Sequence, residues 1–258
     1  MGSDNYEQYE IYGDKVVNFC IMNYLFERFP KVVNVGYLSK LEQHLKSKKV
    51  LSFMASQGNF IEYINYDPSV AYLYEDEDLE ENEEYRSLLE DTFESLIGCV
   101  SYQMDKKFMK GIGTIVCYRI IKTFLDSMEI SLAYNDVYDA FSRLKQMAFD
   151  RKPKWDATPN TEQNNIIFKH DPKTKMVTVE IYGYPVGNKE PIRENRRLLG
   201  RATGNIQSET KQEAAERAIQ LLVKQFGYKL PIPPSPFESD NKKKFQKKIE
   251  AHKMKMMN

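Results

Sequence analysis

The sequence contains no run of the ~18 consecutive apolar residues that a membrane-crossing helix needs, so no helical membrane span is expected in its 258 residues. Its opening, MGSDNYEQYE, has neither a basic n-region nor an apolar h-region, which argues against a secretory signal there. Cysteine occurs three times, at Cys20, Cys99 and Cys117, always inside an apolar run and never at metal-ligand spacing. That pattern speaks against a zinc site or a disulfide framework and for buried thiols in a reducing compartment. Histidine is equally scarce. None of His44, His170 and His252 neighbours the acidic helices described below, which removes a helical carboxylate oxidase or storage site from consideration. No repeat of solenoid or propeller period is present. These absences point to an intracellular protein, cytoplasmic with a nuclear setting left open.

What is present is an ordinary globular balance, 41% hydrophobic and 29% charged, in a chain long enough for one large or two modest domains. The net charge of zero conceals a division. Residues 1–130 hold 13 Lys and Arg against 22 Asp and Glu, and residues 131–258 hold 24 against 15. An acidic half is joined to a basic half, an asymmetry that suggests a nucleic-acid partner for the basic part.

Periodicity separates the same halves. Up to about Ile130 the apolar spacing is three and four: Val17, Ile21, Leu25; Leu38, Leu41, Leu45; Phe93, Leu96, Val100; Ile112, Ile115, Val116, Ile120. This half reads as nearly all helix, interrupted by the acidic loop EDEDLEENEE at 75–84. After Asn135 a helix is expected over VYDAFSRLKQMAF, then a period of two in IIFKH and MVTVEIYGY predicts strands around a DPKTK turn. A last helix is expected in TKQEAAERAIQLLVKQFG, with Thr210 and Glu213 at capping-box spacing and Gly227 at its end. Beyond it PIPPSP stops regular structure, and KKKFQKKIEAHKMKMMN reads as a mobile basic tail or a frayed helix.

The first helix carries its acids on the face it should bury. At ~100° per residue, Glu10 and Asp14 lie about 40° apart, and Val17, Ile21, Tyr24 and Leu25 fall within about 60° of Glu10. A second pair, Asp91 and Glu94, shares a face with Leu88, Gly98 and Tyr102 on a stretch with no Lys or Arg from Ser87 to Met104. Gly98 would let another helix approach closely. Burying unpaired carboxylates costs several kcal/mol each, so they must share a cation, a proton or a basic partner. Hard oxygen ligands without His or Cys suit Mg²⁺ or Mn²⁺ better than zinc. The same spacing also suits acids that complement a helix dipole, and spacing alone leaves both readings open.

These residues carry a resemblance. YEQYEIYGDKVVNF is similar to the signature of the ribonuclease III family, Glu-x-x-Glu-φ-φ-Gly-Asp-x-φ-φ, and EDTFESLIG to its second motif, Asp-x-φ-Glu-Ala-φ-φ-Gly. LSKLEQHLKSKKVLSFMASQGNFIEYI resembles the intervening segment, and TGNIQSETKQEAAERAI resembles the Gly-x-x-x-Ser-Lys-Lys-x-Ala segment of a double-stranded-RNA-binding domain. The likeness runs over about residues 5–227. It implies an all-α ribonuclease III-like nuclease domain at 1–130, an α-β-β-β-α double-stranded-RNA-binding domain at 131–228, and a Pro-rich then basic tail at 229–258. The family usually carries a helical hairpin before its signature, which here starts at residue 5, so the resemblance implies a nuclease domain lacking that part.

The resemblance further implies that Glu10, Asp14, Asp91 and Glu94 are the catalytic residues and ligate Mg²⁺, with Mn²⁺ able to substitute. Glu7 matches an outer acidic position. Gly13 matches a position of tight helix packing. Ile11 falls where the family places an apolar plug for the partner subunit, which implies a homodimer. The implied reaction is hydrolysis of double-stranded RNA by metal-activated water, leaving 5′-phosphate and 3′-hydroxyl ends with short 3′ overhangs. Gln146, the turn residues Lys173, Thr174 and Lys175, and Lys211 with Gln212 match RNA-contacting positions. Two departures predict weaker contacts: the family's loop His is replaced near Thr174 unless His170 substitutes, and the second Lys of its Lys-Lys pair is Gln212. Arg193, Arg196 and Arg197 in GNKEPIRENRR are candidates to compensate. The alternative function is a protein that binds and sequesters duplex RNA without efficient cleavage.

Overall fold

The computed structural model describes residues 6–64, 82–149, 155–156, 166–174, 176–185, 197–230 and 233–239. It divides into two compact units, Met1–Leu132 with Pro234–Asn258, and Ala133–Pro233. No described helix is long and apolar enough to cross a membrane.

The first unit is helical: α1 (Tyr6–Arg28), α2 (Val35–Leu45), α3 (Lys48–Gln57), a 3₁₀ turn (Phe60–Tyr63), α4 (Glu83–Lys107) and α5 (Ile112–Asp126). The expected stripes of α1 and α2 form its core, with Val17, Ile21, Leu25, Leu38, Leu41 and Leu45 all buried. On α4 and α5 the buried face is rotated from the expected one. On α4 it runs through Leu89, Phe93, Ile97 and Ser101, and Leu96 is exposed. On α5 it runs through Gly113, Cys117, Ile121 and Leu125, while Ile115 is 54% exposed. The reason is close approach. A Cβ on Gly113 would lie 2.7 Å from the Ser101 carbonyl carbon and Cα, and the Cys117 thiol reaches the Ile97 carbonyl at 3.4 Å, so the contact with α4 is made at Gly113 and Cys117 and the stripe is turned away from Ile115.

Caps fix where these helices begin. Asn82 accepts from the amides of Glu84 and Tyr85 and starts α4, taking Glu83 and Glu84 of the expected acidic loop into the helix; residues 75–81 lie outside the described set. The N-terminus of α5 has no side-chain cap of its own, and Asp105 on α4 serves instead, accepting from Gly111 N and Gly113 N at 3.0 and 2.7 Å. The first turn of α2 does two jobs. Asn34 Oδ1 accepts from Tyr37 N, its Nδ2 donates to the Glu238 carbonyl, and the amides of Val33 and Asn34 donate to the Pro236 carbonyl. The Tyr37 hydroxyl donates to the Leu132 carbonyl. The described part of the expected tail, 233–239, thus includes a strap on α2, whereas the lysine-rich segment lies outside the described residues.

The second unit contains a one-turn helix α6 (Tyr134–Val137), α7 (Ala140–Phe149), β1 (Trp155–Asp156), β2 (Ile166–His170), β3 (Val177–Pro185), β4 (Arg197–Gly204) and α8 (Gln207–Phe226). The single helix expected over VYDAFSRLKQMAF is broken at Tyr138, and Asp139 opens α7 by accepting from Ser142 N at 2.8 Å. β3 is the central strand of an antiparallel sheet, pairing His170 with Val177 on one side and Gly204 with Val177 on the other. β1 pairs with the far end of β3, Trp155 opposite Pro185. Strand alternation sends Val177, Val179 and Ile181 into a core closed by Phe141, Leu144 and Met147 of α7 and Ala214, Ala218 and Leu222 of α8.

α8 begins one turn earlier than expected. Ile206 is its N-cap, Thr210 is buried inside the helix and donates to the Ile206 carbonyl, and no capping box forms. Its end is where Gly227 predicted, in a left-handed conformation at φ 66°.

Candidate active site

The acids of α1 and α4 meet because two glycines let the helices touch. A Cβ on Gly13 would fall 2.6 Å from the Glu94 carbonyl carbon, and one on Gly98 would fall 2.9 Å from both the Tyr9 carbonyl carbon and Gly13 N. The rings of Tyr9 and Tyr102 stack edge to face at 6.0 Å beside this crossing. Glu10 and Asp14 stand one turn apart on one side of the contact, and Asp91 and Glu94 on the other. All four are half-buried.

Burial and neighbouring charge act on these carboxyls. The Glu94 carboxyl is pushed up to about 7 by burial and then by the charges of Asp14, Glu90, Glu10 and Asp91. Glu10 is raised by burial, Asp91 and Glu7. Asp91 is raised by burial against the opposing pull of Lys48. Burial and the same carboxylates hold the Tyr6 phenol well above its ordinary range. Asp14 is engaged by its own helix, with Lys15 Nζ at 2.6 Å from Oδ2 and Asn18 Nδ2 at 3.0 Å from Oδ1.

Two participants lie beyond the sequence expectation. Glu90 is an added carboxylate on the same edge of α4, raised by burial, lowered by Lys48, and raised again by Asp91, Glu10 and Asp14. Lys48, the first residue of α3, donates to Ser87 Oγ at 2.6 Å and lies 4.0 Å from Glu90 Oε2. The Glu90–Glu94 spacing of four carries a signal for the former, because such pairs share a helix face. Nothing local can place Lys48, which reaches the site from a different helix.

Among the described residues no three His, Cys, Asp or Glu side chains close to metal-ligand geometry. The donor chemistry nevertheless fits a hard divalent cation: the acids carried by the two touching helices offer carboxylate oxygens without His or Cys, and burial first, then mutual repulsion, raises Glu94, Glu90 and Glu10, a condition a cation would relieve. Ile11 points away from this edge and is 66% exposed. A separate cleft of about 500 Å³ in the first unit, lined by residues including His44, Phe53, Arg86 and Met128, contains none of the four acids.

In the second unit the expected RNA-contacting residues are mostly engaged by their own fold. Gln146 Oε1 accepts from the Tyr134 hydroxyl at 2.6 Å. Gln212 Oε1 accepts from Phe141 N at 2.9 Å, so the residue standing in the place of a lysine caps α7. The Lys211 ammonium lies 4.0 Å from the centre of the Phe141 ring. Lys173 N donates to Asp171 Oδ1, and Thr174 Oγ1 accepts from Met176 N, which shapes the β2–β3 turn; Lys175 lies outside the described residues. His170 is exposed at the end of β2. Arg193 and Arg196 also lie outside the described set, while Arg197 opens β4 over the Phe226 ring and donates to Gln225.

Comparison with known proteins bears on the first unit most directly. Residues 7–105 match the ribonuclease III domain, a span that holds all four acids and both crossing glycines. A ribonuclease 3-type protein of Frog virus 3 (isolate Goorha) is 30% identical over 224 residues, covering 85% of this chain and 52% of that protein. One from Invertebrate iridescent virus 6 is 28% identical over 237 residues, covering 85% of this chain and 72% of that protein. Among solved structures, Dicer from Pichia stipitis aligns with 84% of this chain and 88% of its own at 19% identity and a TM-score of 0.33. This chain spans about half the length of the Frog virus 3 relative. The acid-bearing helices thus lie inside a ribonuclease III domain match, and the chain is similar along most of its length to relatives named ribonuclease 3.

Proposed function

We propose that this protein is a divalent-metal-dependent endoribonuclease that cleaves double-stranded RNA to leave 5′-phosphate and 3′-hydroxyl ends with short 3′ overhangs. The observation that supports the reading is the close contact of the two acid-bearing helices at Gly13 and Gly98, with Glu94 raised to about 7 by burial and by the charges of Asp14, Glu90, Glu10 and Asp91. These four carboxylates are the residues that would hold Mg²⁺ or Mn²⁺. A bound divalent ion supplies charge neutralisation at phosphorus and a more acidic water. The chain supplies the geometry: close-packed helix backbones fix the carboxylates, and burial keeps them poised to exchange protons for a cation.

The second unit, in which α7, β2, β3, β4 and α8 follow the expected α-β-β-β-α order and the one-turn α6 and two-residue β1 are additions to it, is read as a double-stranded-RNA-binding domain. Gln146, Lys173, Thr174, Lys175, Lys211 and Gln212 occupy its contact positions. Gln212 contributes by fixing the start of α7 and not as a cation. One set of four acids can cut one strand at a time, so staggered cuts require two chains, and exposed Ile11 is proposed to lie at their two-fold interface.

The test is direct. Long duplex RNA is incubated with the protein in Mg²⁺ or in EDTA, and discrete short products are expected only with Mg²⁺. Glu94→Gln should retain folding and duplex binding and abolish cleavage. Duplex RNA that is bound but left uncut by wild type in Mg²⁺ would identify a sequestering protein instead.

A further inference from the structure

The acidic edge has a cation at each end. At one end Lys48 reaches from α3 to Ser87 Oγ and stands 4.0 Å from Glu90, and its charge acts on both Glu90 and Asp91. At the other end Lys15 contacts Asp14 at 2.6 Å, and its charge also feels Glu94. Glu90 and Glu94 are one helical turn apart, about 6 Å along α4, and each ammonium acts on a different pair of acids: Lys48 on Glu90 and Asp91, Lys15 on Asp14 and Glu94. α4 itself has no Lys or Arg between Ser87 and Met104, and both cations are brought in from other helices.

Stability does not account for this arrangement. The Lys15 side chain is 74% exposed, and an exposed ion pair of that kind contributes little to the fold. Lys48 is held by a neutral hydroxyl, with the nearer carboxylate only at the limit of an ion pair, and its side chain is 36% exposed. Its charge is shared between Glu90 and Asp91 and not consumed by one acid. A nucleic-acid strand approaching Glu10, Asp14, Glu90, Asp91 and Glu94 meets like charge along its whole footprint. A cation among the four acids of the proposed site answers that repulsion at one phosphate. The phosphates on either side need their own counter-charges, and ammonium groups serve as point contacts to phosphate.

We infer that Lys15 and Lys48 are substrate-positioning residues that take the phosphates flanking the scissile one, setting the register of the cut strand over the acidic edge. This rests on the nuclease reading above, and it deepens it by naming how a polyanion is admitted to an acidic site.

The test uses the full chain carrying Glu94→Gln, so that duplex RNA can be held in Mg²⁺ without turnover, with Lys15→Gln, Lys48→Gln, the double variant, and Lys→Arg at both positions. Affinity for a fluorescent RNA duplex is measured across a salt series. Removing one ammonium from a phosphate should reduce the slope of log affinity against log salt by about one, so the double variant should fall by about two, and arginine should restore the slope. In the otherwise wild-type chain, the double variant should raise KM at least tenfold in low salt with thermal stability unchanged. A salt slope equal to that of the parent, or one that arginine fails to restore, overturns the inference. Failure of the nuclease reading shows separately, as wild type that binds duplex RNA and does not cut it.

Discussion

Gly98→Ala tests whether the site depends on helix contact or merely on the presence of four acids. The added methyl would sit 2.9 Å from the Tyr9 carbonyl carbon and from Gly13 N, with the Tyr9 oxygen closer still. Carbon atoms rest at about 3.5–4.0 Å, so α1 and α4 must part by roughly 1 Å at the crossing. Both obstacles are backbone, and no side chain can swing aside. Overpacking of this kind costs about 1–3 kcal/mol, a fall in Tm of roughly 2–12 °C by calorimetry. The functional loss should be larger than the stability loss, because a displacement of about 1 Å at a reacting centre can cost ~10²-fold in rate. The site also reports the separation itself. Glu94 is raised to about 7 in the folded protein, above its ordinary 4.5, so in EDTA its contribution favours the fold at low pH and is lost as pH rises through about 7. With the helices parted, Glu94 should titrate closer to 4.5, which carboxyl NMR would read. A variant with wild-type Tm, wild-type cleavage and Glu94 still near 7 would refute the argument that the glycine contact sets the site.

Two further outcomes are expected. Ile11→Asp should yield monomers by light scattering across a concentration series, because an unpaired carboxylate at the centre of a two-fold interface is costly; a wild type that is monomeric throughout yet makes staggered cuts would sink the two-chain argument. In the second unit, buried Glu180 on β3 is held below its ordinary pKa by the Lys169 ammonium at 2.8 Å, with help from the Tyr182 hydroxyl and Arg201. Its contribution is present above pH 4.5 and lost as pH falls through the depressed value, so Glu180→Gln should cost about 1–2 kcal/mol at pH 7 and converge with wild type in acid; an equal deficit at both pH values would count against the ion network.

The parts of this molecule legible in its sequence are those written in local spacing. The α1 stripe, the acids one turn apart, the strand alternation of β2 and β3 and the glycine that ends α8 all depend on neighbours a few residues away. The α5 stripe is misleading because its inward face starts with Gly113 and Cys117 ahead of Ile121 and Leu125, and the small size of the first two matters only once α4 lies against them. Thr210 and Glu213 have the spacing of a cap, but Ile206 begins the helix a turn earlier and Thr210 is drawn into the core. Lys48 and the cap that Gln212 supplies to Phe141 are invisible for the same reason: each acts on another element, and no local pattern records the partner.

The first turn of α2 has a mechanical consequence. The chain departs the first unit just after Leu132, whose carbonyl is held by Tyr37, and re-enters at Pro236, whose carbonyl is held by the amides of Val33 and Asn34. The two points at which the first unit's chain is held, before residue 133 and after residue 233, therefore lie within a few residues of each other at the start of α2. A pull on either point loads the same helical turn. Asn34, which caps that turn and also bonds the Glu238 carbonyl, is where release of the returning segment and fraying of α2 become one event.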